Sequence, residues 1–149
     1  EYKPIALVQA VETCKELVRL FTEKDLDIIR IGLQPTDSIS DPSTFGSDVV
    51  AGPFHPAFRQ LVESGLWYDV IVSKIKKLNV KVMQVEVTVN PVDVNNVIGH
   101  KKENINKLKE TYDVDLIVTP DENIKQGKSK IEITKTYKDF KEEKEKIHN

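Results

Sequence analysis

The stretch that decides the fold is residues 80–112, VKVMQVEVTVNPVDVNNVIGHKKENINKLKETY. Its first ten residues alternate apolar and polar side chains, the pattern of a strand with one buried face. Asn90-Pro91 breaks the alternation, and a short helix is expected over 92–98. Gly99-His100-Lys101-Lys102 then turns the chain into a second helix over 103–112. Beyond it, 116–118 read as a strand, 120–128 as a turn punctuated by Pro120 and Gly127, and KIEITK at 130–135 as a third strand. The tail YKDFKEEKEKIHN is polar with helical propensity. The order is βααββα. A three-stranded sheet with helices on one face is within reach of about seventy residues, so 79–149 are expected to close their own core.

The upstream part reads differently. In 7–23, LVQAVETCKELVRLFTE, the residues Leu7, Val11, Cys14, Leu17, Val18 and Phe21 recur at spacings of three and four, which predicts an amphipathic helix. IIRIGL at 28–33 is a short β-branched run, as in a strand covered on both faces. Residues 34–53 form a long loop rich in Pro, Gly, Ser, Thr and Asp, a length usual for a functional segment. Pro56 can open a helix over 57–64 that Gly65 ends. A further helix is expected over 66–78, with Trp67, Val70, Ile71, Lys74 and Leu78 on one face. Helix followed by buried strand is a piece of an α/β architecture.

Apolar residues make up 39% and charged residues 31% of the 149, which excludes a disordered chain. No apolar run is long enough to span a membrane, and no secretory signal is visible. The lone Cys14 excludes an internal disulfide and fits a reducing, cytoplasmic setting. Residues 1–73 hold 6 Lys+Arg against 11 Asp+Glu, a charge of −5. Residues 74–149 hold 16 against 13, a charge of +3, and every cation there is lysine. An acidic half joined to a basic half suggests different partners; solvated lysine faces explain the same numbers. The first residue is Glu1 rather than Met, which hints at an upstream region.

The string Val97-Ile98-Gly99-His100-Lys101-Lys102-Glu103-Asn104-Ile105 is similar to the core of a KH domain, and the element order resembles the type I KH arrangement. The family pattern has a second glycine where Lys102 stands. A tight helix–loop–helix turn needs glycine so that a nucleic-acid backbone can approach, and helix amides then meet phosphates. The resemblance implies RNA, tRNA included, as a partner for Gly99, His100, Lys101 and Lys102, with lysine meeting phosphate as a point charge.

ALVQAVETCKELVRLFTEKDLDIIRIGLQP and DVVAGPFHPAFRQLVESGLWYD resemble the closing part of a radical-SAM core, of the kind found in oxygen-independent coproporphyrinogen III oxidase-like and Elongator catalytic subunit-like proteins. The fold expected is α/β: the end of a partial (β/α) barrel over 1–78, then a small α+β KH-like domain over 79–149. The resemblance implies S-adenosylmethionine and a 4Fe-4S cluster in the parent protein, and an upstream radical-SAM domain as partner. No cofactor is expected in this stretch, because the family's CxxxCxxC motif is absent and three thiolates are needed for such a cluster. Cys14 is expected in the core. As a fragment, the chain is expected to serve substrate or RNA recognition rather than catalysis; a module that only packs on the barrel and part of a porphyrin oxidase are the alternatives.

Arg30 interrupts the apolar run 28–33. A buried charge there needs a partner, with Asp37, Asp48 or an upstream acid as candidates. At a barrel mouth it could bind the cofactor. His55 in GPFHPAF, beside Arg59, could orient a substrate or equally hold its loop through the backbone. His55, His100 and His148 form no spaced metal-ligand set, and no catalytic pair is present.

Overall fold

The computed structural model describes residues 3–148, the side chain of His148 excepted. The chain divides into two compact units, Glu1–Leu66 and Trp67–Asn149. The division falls inside a helix and ahead of residue 79.

The first unit contains α1, Leu7–Glu23, at the bounds that the apolar spacing predicts. Its stripe is lightly covered: Leu7, Val11, Cys14 and Val18 are half-buried, while Leu17 and Phe21 are exposed. The run 28–33 is not a strand. Ile29 is 92% exposed, and no residue of the run pairs with a strand among the described residues. β-branched residues favour a pleated surface only where neighbouring strands supply the ladder, and among the described residues of this unit there is none. Residues 34–53 form the expected loop. It is pinned by paired amide bonds between Thr36 and Ile39 (3.0 and 3.1 Å) and by Asp48 N donating to Ser38 O at 2.7 Å.

The helix α2, Phe58–Lys76, is continuous where two helices broken at Gly65 were expected. Gly65 sits in its interior, where an added Cβ would lie 3.0 Å from Cδ of Lys15. The missing side chain admits the Lys15 stem, which is buried and ends in an ion pair with Glu12 at 2.9 Å. A glycine that helps pack two helices together costs helix propensity without breaking the helix.

The second unit has the predicted order: β1 (Val82–Val89), a 3₁₀ turn (Pro91–Asp93), α3 (Val94–Ile98), a second 3₁₀ turn (His100–Lys102), α4 (Glu103–Tyr112), β2 (Asp115–Pro120), β3 (Ser129–Thr136) and α5 (Tyr137–His148). Strand order is β2-β1-β3, with β1 parallel to β2 and antiparallel to β3. A parallel pair needs a crossover, and α3 with α4 supplies it. Val82, Val85, Val87 and Val89 are buried. Their spacing slips phase between 82 and 85, and the β1–β3 register shifts at Gln84. An irregularity of this kind keeps both halves of the strand facing inward. On the opposite face Gln84 accepts from Thr134 and Glu86 accepts from Thr119. At the far end, Thr136 and Asp139 cap α5 reciprocally: the Asp139 carboxylate accepts from Thr136 N at 2.8 Å and is held below the usual carboxylate range by its bonds from the Thr136 hydroxyl and amide.

Ile71, Val72 and Ile75 of α2 belong to the same core as the four valines, Val97, Leu108, Val114 and Leu116. Burying each such side chain is worth about 1.5–3 kcal/mol. Expressed alone, residues 67–149 are therefore expected to melt cooperatively. Residues 79–149 lack three core side chains, a loss of about 4.5–9 kcal/mol against a typical domain stability of about 5–15 kcal/mol. Calorimetry on both pieces checks this; equal melting temperatures would show that α2 contributes nothing to the core.

Candidate functional site

The turn between α3 and α4 is built around Gly99. The residue is buried with φ +86°, and a Cβ there would lie 2.9 Å from the backbone N of Asn104. Both the conformation and the space demand glycine. Asn104 is 3% exposed and its Nδ2 donates to Val97 O at 3.0 Å, tying the start of α4 to the end of α3. Lys102 N closes the turn on Gly99 O at 3.0 Å. Asn104 is not among the residues that the sequence singles out; an amide just inside a helix, five residues after a glycine, is a weak signal.

Lys101 (φ +51°) and Lys102 (φ +63°) both lie in the left-handed region. Lys102 thus holds the backbone shape that glycine would favour, at a cost of roughly 1–2 kcal/mol for a side-chain-bearing residue. Both lysines are exposed and neither makes an ion pair among the described residues. The adjacent Glu103 carboxylate is engaged by Lys107, one helical turn on. His100 is half-buried within the turn.

The neighbouring loops are fixed from β1. Asn90 accepts from Val92 N at 3.2 Å and its Nδ2 donates to Ile124 O at 2.9 Å. Buried Asp93 accepts from Gly127 N at 2.7 Å. These bonds hold the 121–128 turn against the start of the α3–α4 pair.

In the first unit, His55 sits where the chain enters α2. Its Nδ1 accepts from Ala57 N at 3.1 Å and its carbonyl accepts from Phe58 N at 3.1 Å, so the imidazole helps cap the helix. His55 also lines an apolar cleft of about 260 Å³ with Leu33, Val49, Phe54 and Phe58. Gly32 lets Phe58 approach: a Cβ at Gly32 would lie 2.7 Å from the ring. Arg30 is exposed and makes no ion pair among the described residues, which corrects the expectation of a buried charge paired with Asp37 or Asp48. An exposed guanidinium is solvated and needs no partner. Arg30 and Arg59 line one cleft together, and Arg59 Nε donates to Glu63 Oε1 at 2.8 Å.

Residues 1–68 match the Radical_SAM C-terminal domain. The matched stretch covers α1, the 34–53 loop and the opening of α2. No curated protein and no solved structure matches the chain. The radical-SAM family works with S-adenosylmethionine and a 4Fe-4S cluster. The residues present do not fit that cluster: Cys14, half-buried on α1, is the only thiol, and no group of three His, Cys, Asp or Glu among the described residues could hold a metal ion. Among the described residues no helix is long and apolar enough to cross a membrane.

Two measurements check this geometry. Lys102→Gly should raise stability by about 0.5–1 kcal/mol by removing left-handed strain, whereas Gly99→Ala should lower it by more, read from denaturant midpoints. A destabilised Lys102→Gly would mean that its side chain holds the turn. Anaerobic reconstitution with iron and sulfide should leave the purified chain without a cluster, read by absorbance and iron analysis.

Proposed function

We propose that this chain is the substrate-recognition end of a radical-SAM enzyme and that the substrate it recognises is RNA. The observation that carries the reading is the Lys101-Lys102 pair. Two exposed cations stand side by side at the opening of α4, on the βααββα unit, with the adjacent Glu103 carboxylate engaged by Lys107. Two ammonium groups that make no ion pair among the described residues suit a single-stranded phosphate backbone. The lysine at the second glycine position keeps the left-handed turn while replacing close backbone approach with a point charge.

The match over 1–68 supports the radical-SAM parentage. In this reading an upstream radical-SAM domain is the partner that covers the apolar stripe of α1 and the run 28–33. That domain brings the thiolates, the cluster and S-adenosylmethionine. The Elongator-like resemblance agrees with an RNA substrate such as tRNA; the coproporphyrinogen oxidase-like one points to a porphyrin.

Fluorescence anisotropy with short single-stranded RNA at two salt concentrations tests the proposal. The Lys101→Ala/Lys102→Ala double variant should weaken binding to every sequence. It should reduce the slope of log K against log salt by about 1.4, near 0.7 for each phosphate left without its lysine. Absence of binding at low salt, or binding indifferent to both lysines, would make the unit a protein-interaction module.

A further inference from the structure

The opening of α2 forms one wall of a cleft of about 360 Å³, and residues 29–35 form the other. That volume lies in the range of small-molecule sites. Arg30 and Arg59 reach it from elements far apart in sequence, and Gln34 and Gln60 add two carboxamides. Among the described residues, no Asp or Glu lines the cleft. Arg30 is committed to no ion pair among the described residues, and the Arg59–Glu63 bond uses Nε, one of the five N–H donors of that guanidinium set. The cleft also meets the positive end of a 19-residue helix.

We propose that this cleft binds the phosphoryl group of a small phosphorylated ligand, with Arg30 and Arg59 as a two-sided clamp. One guanidinium fork satisfies a carboxylate; two forks and a helix N-terminus on separate walls suit the several oxygens and higher charge of a phosphate monoester. Residues 1–73 carry −5, a balance that disfavours a long polyanion more than a compact anion. The proposal rests on neither the lysine turn nor the RNA reading.

Isothermal titration of the full chain at low salt, with AMP, inorganic phosphate, adenosine and a single-stranded RNA oligomer as probes, tests the assignment. Saturable binding of AMP and phosphate is expected. Arg30→Gln and Arg59→Gln should each weaken it at least tenfold, and the double variant should abolish it. Arg30→Lys, which keeps the charge and loses the fork, should fall between the parent and Arg30→Gln. Lys101→Ala/Lys102→Ala should leave AMP affinity unchanged. The proposal is overturned by any of three results: no saturable phosphate or AMP binding, adenosine binding as tightly as AMP, or an affinity that survives loss of both arginines. RNA binding that weakens with the arginine pair would assign the cleft to a polyanion and overturn the small-ligand claim.

Discussion

Everything in the second unit hangs on β1. It alone pairs on both sides, parallel to β2 and antiparallel to β3, and it presents four buried valines to the helices. The parallel pairing forces a crossover, the crossover is the α3–α4 pair, and the turn of that pair carries the lysines. Polar bonds from Asn90 and Asp93, just past the strand, then fix the 121–128 loop beside it. A substitution that shifts the register of β1 by one residue would turn the valines outward and disorder the turn at once.

Within that frame, the α3–α4 turn is set by exclusion. Gly99 has no room for a Cβ against Asn104, and Asn104 is itself held by Val97 O. The chain leaves this point with few options, and two lysines take left-handed conformations as a result. Local strain tolerated beside buried, well-bonded neighbours is common where a backbone serves recognition. The strain alone does not name a ligand; two exposed lysines that make no ion pair among the described residues give it a chemical meaning.

Part of this was legible in the sequence. Alternating valines and the Ile98-Gly99 step specify the element order of the second unit, because period and glycine chemistry are local signals. The bounds of α1 follow from its apolar spacing. Other features depend on neighbours that no sequence window contains. The run 28–33 has the composition of a strand, but a strand is a property of its neighbours, and Ile29 stands in solvent. Gly65 reads as a stop, yet its value lies in the Lys15 stem fifty residues away. Arg30 and Arg59 are each visible as unusual; that they share a cleft follows only from how the 29–35 segment meets the start of α2. Residues 80–89 read as one continuous alternation, and the irregularity at Gln84 emerges only in the β1–β3 pairing.

The central claim is that the glycine turn meets a nucleic-acid backbone. The most direct measurement is a ¹⁵N NMR titration of the chain with a short single-stranded RNA at low salt, following each backbone amide. The account predicts saturable shifts centred on residues 99–104, with the amides of 29–35 and 56–60 unmoved. Shifts spread evenly over the lysines of α5, or none at the turn, would contradict it.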